Sequence, residues 1–348
     1  MDMRKMILAA LVLGTITAAA LNAQEKVVAT YVTSWTGVMP DPSLLTHVNY
    51  AFGHVNDTFN GVRIDNVERL KAIVALKQQN PQLKVVLSIG GWESGNFSEM
   101  ASLKSNRNAF CADCARKVKE LGLDGIDIDW EFPGEGRDAR ISWSKYDKGN
   151  FTLLMKGLRK ALGKNRILTL ASNCDPCYID FNAVVPYLDF VNLMTYDMDE
   201  RGSFHCALYP SEHTRRWTTD ASVKEHMKAG IPAEKLVVGV PFYGKGSRQY
   251  KGGRSFRNTY PIPEGFTEKW DEKANAPYVV NEKDEFVFGF ENERSLKIKC
   301  EYIKANGLRG IMNWECAEDD DNFTLPSHWR METQDPALFL LLPILSVP

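Results

Sequence analysis

The chain has 348 residues, of which 44% are hydrophobic, 25% charged and 11% aromatic. That balance excludes a disordered tract or a fibrous repeat and allows one large core or two smaller ones. With 42 basic against 44 acidic residues the formal net charge is −2, which provides no long-range attraction to nucleic acid or an anionic membrane and suits an uncharged partner.

In chain order, Arg4 and Lys5 precede an apolar run from Met6 to Leu21 that closes on small residues. The pattern predicts a signal peptide over residues 1–23, cut near Ala23, with an apolar run too short for a stable membrane span. The mature chain, 24–348, is therefore expected to be secreted or periplasmic. Runs rich in β-branched residues follow at 27–34, 46–52, 84–90, 125–130, 167–171, 190–195, 236–241 and 310–314. Between them apolar residues fall at helical spacing, as in Val67, Leu70 and Val74, in Phe110, Val118 and Leu121, and in Leu153, Leu154 and Leu158. Strand and helix alternating eight times predicts an α/β fold, the (β/α)8 TIM barrel, with an open doubly wound sheet as the alternative. In a barrel the chemistry collects at the carboxyl ends of the strands.

Other features interrupt this rhythm. Cys111/Cys114 and Cys174/Cys177 form two C-x-x-C pairs among seven cysteines, which a four-thiolate zinc site would require. The first pair lies in a helical pattern and the second after a strand of a different unit, so local disulfides or free thiols are the preferred reading. A small insertion is expected after strand seven, at about 245–292, with 278–280 and 285–290 as a hairpin. A final helix is expected within 325–334. The tail 335–348 is apolar, but too short and too Pro-broken to span a bilayer.

The segment Asp124-Gly-Ile-Asp-Ile-Asp-Trp-Glu131-Phe-Pro133 carries the functional signal. Side chains alternate along a strand, so Asp127, Asp129 and Glu131 share one face while Ile126, Ile128, Trp130 and Phe132 take the other. In a barrel the apolar face packs under helices and the carboxylates stack inward toward the rim. Like charges in a dry interior raise one another's pKa, so at least one proton is retained near neutrality. Glu131, nearest the rim, is the candidate donor of a proton to a glycosidic oxygen. An exposed acidic strand or a divalent-cation site fits less well, because the opposite face is apolar and no further carboxylates are found at neighbouring strand ends.

With Asp124, Asp127, Asp129 and Glu131 the segment completes D-x-x-D-x-D-x-E, and on it the chain resembles glycoside hydrolase family 18, the chitinase family. The resemblance recurs in Tyr31-Val-Thr-Ser-Trp35, Asn49-Tyr-Ala-Phe52, Ser88-Ile-Gly-Gly-Trp92, Met194-Thr-Tyr-Asp197, Gly239-Val-Pro-Phe-Tyr-Gly244 and Gly310-Ile-Met-Asn-Trp-Glu315. It implies retaining hydrolysis in which the substrate's own 2-acetamido oxygen is the nucleophile. By resemblance Glu131 is the general acid/base, Asp129 binds the acetamido N–H, Asp127 holds or shares its proton, and Tyr196 steadies the acetamido oxygen. Asp197 assists nearby, Tyr31 supports the acidic cluster, and Trp314 floors the sugar. Met194, Phe52 and Tyr243 line the same pocket, while Trp92 stacks on the leaving-group side. For Tyr31, Phe52 and Met194 a plain core role is the competing reading. Ser88 and the two glycines after it read as structural.

The chain departs from the family at Lys245, where many members carry Arg, so any inherited bidentate contact is weakened there. The short span from Gly244 to Trp270 suggests a reduced cleft wall, a shallower cleft and endo-type cutting. The resemblance implies chitin or N-acetylglucosamine oligosaccharides as partners, and the six histidines show no metal-ligand spacing, so neither a metal nor a cofactor is expected. A monomer is expected. An endo-β-N-acetylglucosaminidase acting on N-glycans, or a non-catalytic chitin-binding lectin, are the alternatives; an intact Glu131 argues against the second.

Overall fold

The structure, a computed structural model, describes residues 26–198, 202–246, 255–322 and 324–327. The expected signal peptide and the apolar tail 335–348 lie outside the described residues, as does most of the expected final helix, of which 325–327 are helical in a turn 324–327. No helix among the described residues is long and apolar enough to cross a membrane.

The strands are β1 (Val27–Thr33), β2 (His47–Val55), β3 (Val62–Ile64), β4 (Lys84–Gly90), β5 (Gly125–Asp129), β6 (Ile167–Asn173), β7 (Phe190–Met194), β8 (Leu236–Pro241), β9 (Lys245–Gly246), β10 (Phe266–Asp271), β11 (Ala276–Asn281), β12 (Phe286–Gly289) and β13 (Gly310–Trp314). β1, β2, β4 to β8 and β13 pair in parallel, and the cycle closes because β1 bonds both β13 and β2. This is the closed (β/α)8 barrel, not the open sheet. Each barrel strand is buried on both faces, which explains runs such as Val237, Val238 and Val240. Alternation divides the core in two. Val28, Val32, Ile126, Ile128 and Val238 pack outward under the helices, whereas Ala29, Tyr31, Val237 and Met312 fill the interior.

The helices are α1 (Val67–Ala75), α2 (Phe97–Ser102), α3 (Lys104–Glu120), α4 (Asp147–Leu162), α5 (Phe181–Val184), α6 (Thr219–Lys228) and α7 (Glu293–Ala305). On α4, Leu154 and Leu158 are buried but Leu153 is exposed, so the apolar pattern read there was one residue too generous. Trp130 lies between the barrel and its cover, stacked on Phe97 of α2 at 5.1 Å and edge-on to Phe151 of α4 at 6.0 Å.

Two additions escaped the sequence reading. β3 turns back antiparallel onto β2; three residues are too few for a periodic signal. The insertion after β8 is a four-stranded antiparallel sheet, β10-β11-β12-β9, rather than a hairpin alone. The expected hairpin is its centre, with Tyr278 opposite Gly289 and Val279 opposite Phe288. Its flanks were missed because β10 is half-exposed and largely polar and β9 has two residues. The insertion is tied to the barrel through Lys299 on α7, whose ammonium pairs with Glu291 and donates to the Cys206 carbonyl, with both charged side chains 1% exposed. Removing one partner of such a pair leaves the other buried without compensation. Lys299→Met is therefore expected to lower stability by about 3–5 kcal/mol, read as an earlier urea midpoint at unchanged slope.

Candidate active site

The acidic strand β5 ends at Asp129, and its carboxylates rise through the barrel axis as alternation requires. Asp127 is fully buried and is the most heavily bonded group of the interior. Tyr31 O–H donates to its Oδ2 at 2.9 Å and Ser88 O–H at 2.8 Å, while Thr169 O–H donates to Oδ1 at 2.6 Å and Asn192 Nδ2 at 3.2 Å. The four donors stand on β1, β4, β6 and β7, so only a closed barrel could assemble them. Ser88, read as structural, belongs to this set. Burial pushes the Asp127 pKa up and the four donors pull it back. Burial, with Asp127 alongside, keeps the Tyr31 phenol protonated far above its ordinary range.

Asp129 sits one step higher and is treated differently by its surroundings. It is 4% exposed, and its Oδ1 has no hydrogen-bond partner among the described residues. Burial, then the charges of Glu131 and Asp127, drive its pKa well above the carboxylate range. Of the two aspartates, Asp127, with its four donors, is the better place for a negative charge and Asp129 the better place for a proton. Glu131 faces the cleft at the rim, half-buried. Burial first, and the charge of Asp197 second, raise its pKa to about 7. Asp129 and Glu131 are thus both pushed toward keeping a proton near neutrality.

These groups open into a cleft of about 640 Å³ at the carboxyl ends of the strands. The structure brings Tyr31, Phe52, Trp92, Asp129, Glu131, Met194, Tyr196, Asp197, Tyr243 and Trp314 to its lining, and leaves Asp127 beneath it. Trp314 stacks on Phe52 at 5.6 Å and leans on Tyr31 at 5.7 Å, forming a continuous apolar floor. Trp92 is 52% exposed on the wall. Tyr196 is buried, and burial with Asp129 and Glu131 beside it holds its phenol protonated, as a hydrogen-bond donor. Asp197 follows β7 in a left-handed conformation (φ 57°) that Asp tolerates. It accepts from Tyr243 O–H at 2.7 Å and pairs with Lys245 at 2.9 Å. Although burial pulls upward, His205 and Lys245 hold its pKa well below the usual carboxylate range. The ammonium of Lys245 thus reaches Asp197 through one atom, whereas an arginine at this position could offer a fork.

One orientation is corrected. Phe132, assigned by alternation to the outer face, lies on the cleft and stacks on Tyr178 at 4.6 Å. The strand has ended three residues earlier, and a turn closed by reciprocal Phe132 and Glu135 backbone bonds (3.0 and 3.1 Å) re-aims the ring. Trp35, Asp138, Asn173, Cys174 and Tyr178 also line the cleft, a placement that the sequence reading does not give them. Trp35, Asn173 and Cys174 lie at or just past the carboxyl ends of β1 and β6, a position that could have marked them; Tyr178 and Asp138 come from loops that meet only in the fold. The C-x-x-C pairs stay apart in role: Cys111 and Cys114 are buried on α3, while Cys174 and Cys177 follow β6, and none of these four is in a disulfide. Among the described residues no cluster of His, Cys, Asp or Glu is arranged to hold a metal ion.

The family described as Glycosyl hydrolases family 18 matches residues 27–319. The chain belongs to that family. As a family 18 glycoside hydrolase it is 31% identical to Chitinase A1 of Niallia circulans over 344 residues, covering 85% of this chain and 48% of that protein. It therefore spans about half the length of that relative. Identity to Chitotriosidase-1 of Mus musculus is 32% over 323 residues, covering 80% of this chain and 68% of that one. Among solved structures, a family 18 N-acetylglucosaminidase from Paenibacillus barengoltzii superposes with a TM-score of 0.79 at 36% identity, over 88% of this chain and all (100%) of that one. The Group IV chitinase of Ostrinia furnacalis gives 0.78 at 27% identity, over 89% and 100%.

The electrostatics carry a pH expectation for this family 18 site. With Glu131 as the proton donor that the family resemblance implies, kcat is expected to fall as pH rises through about 7, the value to which its pKa is raised. The Asp197 charge contributes to that rise, so Asp197→Asn should move the alkaline limb of the kcat profile to lower pH. A limb that stays in place would show that Asp197 does not tune Glu131.

Proposed function

We propose that the chain is a secreted chitinase that hydrolyses β-1,4 bonds between N-acetylglucosamine units, cutting within the polymer, by a retaining, substrate-assisted route. The observation that carries this reading is that Glu131 lines the cleft two residues past the buried, partner-poor Asp129 on which β5 ends, where burial raises its pKa to about 7. Glu131 donates its proton to the glycosidic oxygen as that bond breaks. The 2-acetamido oxygen of the same sugar closes on the anomeric carbon, and the positive charge spreads into an oxazolinium ring. Asp129 accepts a hydrogen bond from the acetamido N–H and its negative character offsets that charge, while Asp127 shares the proton Asp129 gives up. Tyr196 O–H donates to the acetamido oxygen. Water then opens the ring with Glu131 as base, and both proton and configuration are restored. Trp314 with Phe52 supplies the flat apolar floor on which the sugar C–H face rests, and Trp92 the platform on the leaving-group side. The names of the relatives, several of them chitinases or endochitinases, point to the same substrate.

The Paenibacillus barengoltzii structure, named an N-acetylglucosaminidase, favours a second reading in which single sugars are released; N-glycan cleavage is a third. Early products from a chitin hexamer, a glucosamine hexamer and an N-glycan decide among them. Mixed internal fragments from the chitin hexamer, with the β-anomer retained and the glucosamine hexamer left uncut, are expected. Release of one product from one end would sink endo action, and cleavage of the glucosamine hexamer at a comparable rate would sink substrate assistance.

A further inference from the structure

Trp92 stands in a loop whose backbone is unfavourable by itself. Between β4 and α2, Gly90, Gly91, Glu93 and Asn96 have φ of 129°, 94°, 62° and 71°, and Glu93 lacks the freedom of glycine in that region. At Gly91 a Cβ would lie 2.6 Å from the Phe52 ring. Such a backbone persists only where its surroundings over-determine it. Inside the loop Ser94 N–H donates to the Gly91 carbonyl at 3.0 Å. Two further ties run to β2: Asn96 Nδ2 donates to the Val55 carbonyl at 3.3 Å, and Ser94 Oγ meets His54 Nδ1 at 2.8 Å.

The opposite ring nitrogen of His54 meets Asp65 Oδ2 at 3.0 Å, directly after β3. Asp65 is itself fixed, by an ion pair to Arg63, by its N–H to the Phe52 carbonyl at 3.2 Å, and by Tyr50 O–H on its own carbonyl at 2.9 Å. With Asp65 accepting from Nε2–H, Nδ1 is left to accept from Ser94 O–H. Burial lowers the His54 pKa against the opposing pull of Asp65, which suits this neutral form. The order Ser–His–Asp is that of a hydrolytic triad, but Ser94 is 8% exposed and is not among the residues that line the cleft.

We propose that His54 is a positioning residue for sugar binding: bridging Asp65 and Ser94, it braces the loop 90–96 so that Trp92 is presented to the cleft. This rests on the reading of Trp92 as a sugar platform. The short strand β3 thereby has a purpose, since it leads directly into the carboxylate that orients the imidazole. A brace of this kind acts on the ordering of Trp92 before binding, so its loss appears in KM and not in the chemical step.

The test uses the full chain with a chitin hexamer. His54→Ala and Ser94→Ala are each expected to raise KM about tenfold, the scale of a lost aromatic platform, with kcat within about twofold. In a Trp92→Ala background neither should add a further factor, because the platform they serve is gone. Backbone amides of 91–96 should exchange with solvent about tenfold faster in both variants, with the barrel strands unchanged. An unaltered KM, a full additional effect on top of Trp92→Ala, or unaltered exchange in 91–96 would each overturn the brace. If His54→Ala fails to fold, Ser94→Ala removes one hydroxyl and carries the same expectation. Absence of turnover by the wild type would defeat the chitinase reading, and the exchange rates would still decide the brace.

Discussion

Glu131→Gln is expected to lower kcat on a chitin oligosaccharide by about 10²–10⁴-fold, the usual worth of a positioned general acid, with KM changed little. Glutamine keeps the shape and the cleft position but has no proton to transfer. The loss should depend on the leaving group: a sugar hydroxyl needs protonation as the bond breaks, whereas a strongly acidic phenol does not, so an activated aryl glycoside should lose far less. The alkaline limb near pH 7 should disappear from the residual activity, because the group that titrates there is gone. Stability should be unchanged or higher, since a half-buried acid with a charged neighbour in Asp197 has become neutral. Retention of full activity on the oligosaccharide, with the alkaline limb in place, would remove Glu131 from the mechanism.

Asp129→Asn is expected to cost about 10²–10³-fold in kcat, comparable to removing one preorganised electrostatic partner of a transition state. The amide still fills the space and can still contact the acetamido group, but it cannot become negative as the oxazolinium charge develops. Here the structure makes the stability expectation distinctive. The Asp129 carboxyl is 4% exposed, lies between two other acids and has an unpartnered Oδ1, so a neutral isostere relieves both desolvation and repulsion. Asp129→Asn should therefore melt at the same temperature or higher while turning over far more slowly. A parallel fall in stability and activity would mean that Asp129 serves the fold.

How far the site is legible in the chain depends on how far each signal travels. Alternation along five residues of β5 was enough to place Asp127 and Asp129 on the interior face and Ile126 and Ile128 under the helices, because a strand fixes side-chain direction locally. The same reasoning failed at Phe132, where the strand had given way to a turn and period two no longer applied. Eight strands were readable because burial on both faces makes each a dense apolar run. β3, β9 and β10 were not, being short or half-exposed, so that their formation depends on the partner strand and not on their own composition.

What the chain determined alone, then, is the order of strands and helices, the inward line of acids and the set of motifs that mark the family, all consequences of short-range periodicity and residue type. The tertiary structure decided which acid keeps a proton. Asp127 and Asp129 are two residues apart on one strand, yet four donors from four other strands converge on the first, while the second has an oxygen without a partner. Donor placement and desolvation are properties of the closed barrel, because they depend on residues up to 161 positions apart in sequence meeting across its axis.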